Sequence, residues 1–426
     1  MKNINIAVVG AGISGISTAN ELKKYGYKVD IFEAQKDVGG RVSLSSFDLE
    51  RIIIGGENIG NGYSTFKNLC SDYGINNFEK YNLSIEAIGR EKKITINKEK
   101  KIKTIINLLS IMSLKDILKI RKMILAIKKF PENSFLGGSY FKKYNNEVIS
   151  SVFSKKYIDY ILRNLVLINN AAEADEIYMN TFGTNLSMLL DEYKHIKDEE
   201  KHIFEVFDQK PFVHKKAKVI SLWYENNILQ GIILEGNHKY KYDGVVISTT
   251  ALDASKILSK TNEKLSVQLN RIRYFPMAMI IAKYEKNYFP KNINSYTFPK
   301  DSLLSNVGVY SSKKRNYLRY TIAGRKGRDI LKHTSDIVSL LNDSEKELYK
   351  YLSIIIDNRI DFTGRVTRQI AYAPNHQEVL DQINLLIEDN KGLYLAGDYI
   401  YGASLEGCSR SGVRAAKNIQ NYIKNN

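Results

Sequence analysis

Ile6-Ala7-Val8-Val9-Gly10-Ala11-Gly12-Ile13-Ser14-Gly15 lies near the start of the chain, and Val29-Asp30-Ile31-Phe32-Glu33 follows one helix length later. A short β-branched apolar run that stops at glycine reads as a buried parallel strand over 4–9. Gly10 permits a tight turn, and Gly12 leaves no side chain between the backbone and a pyrophosphate. Gly15 lets the next helix pack close on the strand. That helix is predicted from about Ile13 to Tyr25, with the free amides of its first turn, Ile13 and Ser14 among them, facing the phosphates. The strand Lys28 to Phe32 ends in Glu33, an acid placed to accept ribose hydroxyls. Strand, glycines, helix, strand and acid in this order predict an α/β fold with a Rossmann-type dinucleotide-binding domain.

Gly39-Gly40-Arg41 and Ile54-Gly55-Gly56-Glu57 add two further glycine pairs. Arginine after the first pair can neutralise pyrophosphate charge in a forked geometry, and the second pair lets backbone approach a flat ring. Far along the chain, Gly392-Leu393-Tyr394-Leu395-Ala396-Gly397-Asp398 reads as another short strand closed by an aspartate, with Ser404-Leu405-Glu406-Gly407 beyond it. Asp398 is placed to bond a sugar-alcohol chain at the mouth of the sheet. On this reading its removal weakens cofactor retention and leaves the empty protein folded. Ser404 reads as the N-cap of a helix carrying Val413, Ala416, Ile419 and Ile423 on one face. The amides at its start, Leu405 among them, can stabilise negative charge on a reduced flavin. The two signatures together predict a flavoprotein with non-covalent FAD.

These segments resemble the flavin-containing amine oxidoreductase superfamily, which includes amine oxidases, protoporphyrinogen oxidases and plant-type carotene desaturases. The likeness is strong over 4–60 and 391–420. It is weaker over Ser139-Tyr140-Phe141-Lys142-Lys143-Tyr144-Asn145-Asn146-Glu147-Val148 and over Tyr242-Asp243-Gly244-Val245-Val246-Ile247-Ser248-Thr249. The resemblance implies that backbone near Lys218-Val219-Ile220 meets the adenine. Two departures sort the branches. Where amine oxidases carry a lysine near the flavin, on the strand corresponding to Met277–Lys283, this chain has Met279. Lys283 shares that face by alternation and takes the role if the register is shifted. Ser404 stands where an amine oxidase places a cage tyrosine, and Cys408 stands where protoporphyrinogen oxidases often have cysteine. Tyr372, Tyr399 and Tyr401 are candidates for the cavity over the flavin, chosen from 28 tyrosines.

The resemblance implies an oxidoreductase that removes a hydride from a C–H bond of a small hydrophobic or conjugated substrate, with oxygen or a quinone as electron acceptor. A flavin amine or amino-acid oxidase is the alternative within the enzyme class, and a redox-neutral isomerase using reduced flavin is a third. A non-catalytic lipid- or partner-binding protein on the same fold is the alternative of another class. No general base can be named.

At 426 residues the chain is long enough for two domains. A discontinuous FAD domain is expected over 1–75, 205–260 and 366–426, with an inserted α+β substrate domain over 76–204 and 261–365. Met277–Tyr284 and Tyr317–Ala323 are expected strands of a sheet roofing the flavin. Lys and Arg outnumber Asp and Glu by 63 to 46, a net charge of +17. This fits either acidic partners or a biased genome. No aromatic-basic RNA motif appears, so nucleic-acid binding is not expected. No His-Cys set has metal-ligand spacing, so no metal is expected. Cys70 and Cys408 are too few for a disulfide framework. With the first strand so near Met1, no signal peptide is expected, nor does any apolar run reach the roughly 18 residues of a membrane span. A cytoplasmic protein is expected, and peripheral membrane contact stays open. Over 103–129, Ile105, Leu108, Leu109, Met112, Ile117, Ile120, Ile124 and Ile127 recur at helical spacing among lysines. This basic amphipathic pair either rests on anionic lipid or packs its apolar face on the substrate domain.

Overall fold

A computed structural model describes residues 4–47, 50–89, 91–144, 146–197 and 202–424. The glycine-terminated strand Asn5–Val9 lies at the centre of a five-stranded sheet ordered Val213–His214, Lys28–Phe32, Asn5–Val9, Gly244–Ile247 and Leu393–Leu395. All four pairings are parallel. Its central strands are almost wholly apolar because both faces are covered, one by the helices Ile13–Lys24 and Leu405–Lys424 and the other by a three-stranded antiparallel sheet, Val219–Glu225, Ile228–Leu234 and Lys239–Lys241. Ile6, Val8, Val245, Val246 and Ile247 are fully buried.

The helix Ile13–Lys24 crosses back over this sheet and packs along the C-terminal helix Leu405–Lys424. Small residues allow the approach: a Cβ on Gly412 would lie 2.3 Å from the Ser14 carbonyl oxygen. The Ser17 hydroxyl donates to the Ser409 carbonyl at 2.9 Å. The two ends of the chain are thereby joined beside the glycine turn.

A seven-stranded mixed sheet forms the second layer, ordered Arg359–Ile370, Tyr274–Tyr284, Tyr317–Ile322, Leu304–Val309, Ser295–Thr297, Ser84–Ile88 and Lys93–Asn97. The Arg359–Ile370 strand stays paired with Tyr274–Tyr284 along its whole length, so the division expected at 365/366 falls inside a continuous ladder. Helices Arg163–Asn170 and Phe182–Leu190 pack near it. Among the described residues, no helix is long and apolar enough to cross a membrane.

Candidate flavin site

A cavity of about 930 Å³ runs from the end of the parallel sheet to the face of the mixed sheet. At its first end, Gly10 holds φ +103°, a left-handed value that favours glycine. Its amide donates to the Phe32 carbonyl at 2.8 Å. Gly12 has ordinary extended backbone, and a Cβ there would meet no protein atom within 4 Å. The missing side chain would enter the cavity, which is how a loop leaves room for a phosphate. Gly15 does not line the cavity: its Cβ would lie 2.0 Å from the Gly10 carbonyl oxygen, so it serves packing alone. Ile13 and Ser14 line the wall, at the start of a helix with no acidic residue in its first turn.

Glu33 also lines this end. Its carboxylate accepts from the Ala11 amide at 2.8 Å and from the Gln35 amide at 2.9 Å. Two acceptor positions remain for ribose hydroxyls, since a carboxylate offers about four. Lys218, Val219 and Ile220 stand nearby on the wall, as do Ser248 and Thr249 from the returning strand.

In the middle of the cavity Arg41 lines the wall and is tied down through one nitrogen: its Nη1 donates to Asp398 Oδ2 at 2.6 Å and to Gln369 Oε1 at 3.2 Å. Asp398 is only 1% exposed, and its other oxygen accepts from the Tyr274 hydroxyl at 2.7 Å. Burial is the largest single influence and lowers the Arg41 pKa, but the charge and hydrogen bond of Asp398, with Tyr274 and Cys408, together hold it above the usual guanidinium range. Burial, then Asp398, pushes the Tyr274 phenol well up, so it stays a donor. Asp398 therefore joins the Gly39–Arg41 turn to the mixed sheet, and its removal would strand a cation. Gly40, Gly55 and Gly56 line the same stretch. A Cβ on Gly55 would strike the Arg41 carbonyl at 2.5 Å, whereas one on Gly56 would meet nothing within 4 Å. Of this pair, only Gly56 is open toward a ligand.

Gly397, Asp398, Ser404, Leu405 and Cys408 line the C-terminal side. The Ser404 hydroxyl accepts from the Gly407 amide at 3.0 Å and caps the Leu405–Lys424 helix. Burial, reinforced by Asp398, pushes the Cys408 thiol up to about 12, so it stays protonated. Tyr63, which the sequence reading did not single out, lines the wall and hydrogen-bonds Ser404.

The redox end is roofed by two strands in register. Phe275 faces Gln369, Met277 faces Thr367, and Met279 faces Arg365. Directly opposed residues share a sheet face, and five of these six side chains line the cavity, Phe275 being the exception. Arg365 donates to the Gly40 carbonyl at 3.1 Å, the Ser43 hydroxyl at 2.9 Å and the Arg41 carbonyl at 2.7 Å. Burial, then the nearby Arg41, lowers its pKa. Lys283 does not reach this site. Four residues along a strand is about 13 Å, and its ammonium lies 5.4 Å from the Tyr317 ring centre instead. Opposite the roof stand Ile168, Asn169, Asn170, Thr181, Thr184, Asn185 and Met188. Asn170 Oδ1 and Thr184 Oγ1 are buried without hydrogen-bond partners.

Three further expectations are corrected. Glu57 turns away from the cavity, pairs with Arg319 at 2.6 Å and lines a separate polar pocket with Arg51 and His202. Tyr399 is fully buried and Tyr401 packs against Arg414; neither lines the flavin cavity, because the turn Asp398–Tyr401 carries both side chains outward from it. Tyr372 does line it. It is held at φ +44°, unusual for an aromatic residue, by its hydroxyl donating to the Asp398 carbonyl and its own carbonyl accepting from the Tyr178 amide. The segment around Glu147 is part of this support: the Glu147 carbonyl accepts from Met179 at 2.7 Å, and Val148 bridges Tyr178. Asn145 of that segment lies outside the described residues.

A sequence profile of the flavin containing amine oxidoreductase family matches residues 13–420, and the chain belongs to that family. Amine oxidase [flavin-containing] A of Sus scrofa is 30% identical over 77 residues, covering 18% of this chain and 15% of that protein. The chain spans less than a fifth of the length of the first curated relatives it matches. Solved structures are similar across the whole length. Cyclohexylamine oxidase from Brevibacterium oxydans IH-35A has a TM-score of 0.71 at 14% identity, covering 99% of this chain and 100% of that one. A structure assigned as a protoporphyrinogen oxidase from Exiguobacterium sp. 255-15 has a TM-score of 0.69 at 13% identity, with 100% of both chains covered. At such identities these structures establish the fold: a Rossmann-type FAD-binding domain with a substrate domain. Family membership makes the protein an FAD-dependent oxidoreductase, and the open faces of Gly12 and Gly56 fit that cofactor.

Proposed function

We propose that the enzyme dehydrogenates a C–H bond of a small, uncharged or anionic organic substrate, in the manner of protoporphyrinogen oxidases and desaturases. FAD, when bound, supplies the two-electron acceptor for this chemistry. One observation carries the reading: of the five roof side chains that line the cavity, Met277, Met279, Arg365, Thr367 and Gln369, none is a lysine or a carboxylate and one is a guanidinium. A cationic amine at the roof would meet that guanidinium, while the nearby Asp398 is already paired with Arg41.

The surrounding residues support orientation more than proton transfer. Asn169, Asn170, Thr181 and Thr184 put polar side chains on the wall that a polar substituent would meet. The methionines adapt to an apolar or conjugated ring. Arg41 holds the Gly39–Arg41 turn through Asp398, and Arg365 holds it from the roof side. We assign 1–75, 205–260 and the chain after the roof strand to cofactor binding, with 76–204 and 261–365 carrying the substrate. The protonated Cys408 thiol supports non-covalent FAD, since attack on the ring needs a thiolate.

The test is anaerobic bleaching of the flavin absorbance with a substrate panel. Neutral or carboxylated cyclic compounds with a weak C–H bond should bleach it, while putrescine and cyclohexylamine should not. Fast bleaching by primary amines would replace this reading with an amine oxidase.

A further inference from the structure

We propose that the helices Lys101–Leu109 and Leu114–Lys129 dock the enzyme on an anionic lipid surface. The first helix has no buried residue. Ile102, Ile105, Ile106 and Leu109 recur at i, i+3, i+4 and i+7, a single stripe along one face. Their exposures are 77, 55, 61 and 52%. Leu114, Leu118, Leu125 and Phe130, on and just after the second helix, are also exposed. Isolated exposed leucines are ordinary; eight large apolar side chains exposed on two consecutive helices, four of them in one stripe, call for an apolar partner.

This outward stripe is distinct from the face that packs inward. Leu108, Met112, Ile120, Ile124 and Ile127 lie against the core, and Met123 is fully buried beneath them. Of the residues whose spacing stands out in the sequence, only Ile105 and Leu109 belong to the outer face. The helix pair therefore has two sets of apolar side chains, and core packing explains only one.

Charge selects the occupant. Residues 101–129 contain eight Lys or Arg and a single acid, Asp116. Asp116 is 2% exposed and spent on the Ser113 and Ser154 amides and hydroxyls. The charged side chains of the two helices that remain exposed are thus cationic, Lys101, Lys103, Lys122 and Lys129 among them, with Glu99 and Glu132 just beyond the two ends. A second copy would bring like charges together, whereas anionic headgroups would accept both the ammonium groups and the inserted isoleucines. The second helix packs on Phe182–Leu190, whose Thr184, Asn185 and Met188 line the substrate end of the cavity. Docking would hold that end one helix layer from the lipid. The inference does not depend on which substrate is oxidised.

The test is co-sedimentation of the full-length holoenzyme with phosphatidylcholine vesicles, with and without added phosphatidylglycerol. Binding is expected only with the anionic lipid, weakening as salt is raised. The triple variant I102S/I106S/L109S should bind about tenfold less, and K101E/K103E should also bind less. Both should keep wild-type flavin absorbance and melting, since all five positions are exposed. Failure of the wild type to sediment with anionic vesicles would overturn the proposal. So would equal binding to pure phosphatidylcholine, or a triple variant that binds as well as wild type. A wild-type dimer that the triple variant turns into monomer, with no vesicle binding, would assign the patch to a second copy instead.

Discussion

At the nucleotide end of the cavity the wall is backbone: Gly10, Gly12 and the first turn of the Ile13–Lys24 helix. At the redox end it is side chains, Met277, Met279, Arg365, Thr367 and Gln369, delivered by two strands roughly ninety residues apart in sequence. A wall of backbone is specified by what is missing, and glycine at a given spacing is a local signal. A wall of cross-strand side chains is specified by register, which no local pattern contains. Between them lies a seam, where Asp398 ties Arg41 to Tyr274 and Tyr372. Substitutions in the three regions should therefore fail in different ways.

The largest effect should come from the backbone wall. Gly12→Val places a side chain where only a ligand would be, at a residue whose φ of −76° any amino acid tolerates. FAD affinity should fall about 100-fold or more, on the order of 3 kcal/mol, while the melting temperature of the empty protein changes little. Gly15→Val is the contrast. Its Cβ collides with the Gly10 carbonyl and the Ser248 hydroxyl, at 2.0 and 2.5 Å, so the protein itself should fail to fold. Titration of FAD into the two apoproteins, with thermal melts alongside, distinguishes a phosphate cradle from a packing contact. A Gly12→Val protein that retained full yellow colour would remove the loop from the cofactor site.

This contrast accounts for what could be read from the chain before its fold was known. The strand–glycine–helix unit, Glu33 and the Gly397–Asp398 strand end all depend on neighbours a few residues away, and each is where its local pattern puts it. Met279 stands on a strand that the family resemblance singles out. Arg365 carries no such signal, because its place beside Met279 exists only once Arg359–Ile370 pairs with Tyr274–Tyr284. Tyr63, Thr184 and Asn185 escaped for the same reason. Glu57, Tyr399 and Tyr401 show the reverse fault. They sit next to true lining residues in sequence, and a single step along a turn rotates a side chain out of the cavity.

The seam should show the next largest effect, and on stability as well as binding. Asp398→Ala removes the partner of a guanidinium whose side chain is 28% exposed. Loss of one partner of a fully buried pair costs about 3–5 kcal/mol; with some water left on Arg41, ~2–3 kcal/mol is expected. The empty protein should unfold at lower urea as well as lose FAD. Unchanged urea stability with lost FAD would mean that Asp398 acts only on the cofactor, as a local reading of the strand end suggests.

His376 gives the seam a pH dependence. Its Nε2 lies 2.9 Å from the Tyr399 carbonyl, and burial lowers its pKa from 6.5 to about 4. The neutral ring is the folded form, so the unfolded chain binds the proton more readily. Stability from this group is fully present above pH 6.5 and is lost as pH falls toward 4. Near pH 5.5 the loss should be about 1 kcal/mol. His376→Gln keeps a donor for the carbonyl and does not titrate, so its melting temperature should vary less between pH 7 and 5. Identical slopes for wild type and variant would place the acid sensitivity elsewhere, at the half-buried His202, whose pKa desolvation also lowers.

The smallest effect should come from the residue that a one-dimensional reading of the roof makes most attractive. Lys283 lies on the same strand face as Met279, and alternation alone cannot distinguish the two. Distance does: four residues put about 13 Å between them, and Asp361 stands opposite Lys283 while Arg365 stands opposite Met279. Lys283→Met should therefore leave kcat and KM within about twofold of wild type. Arg365→Gln removes the cation that actually faces the cavity and frees three acceptors on the Gly40–Ser43 turn, and kcat/KM should fall about tenfold. If the order were reversed, with Lys283→Met the damaging change, charge would reach the flavin along the strand and not across it, and the case against an amine substrate would fall with it.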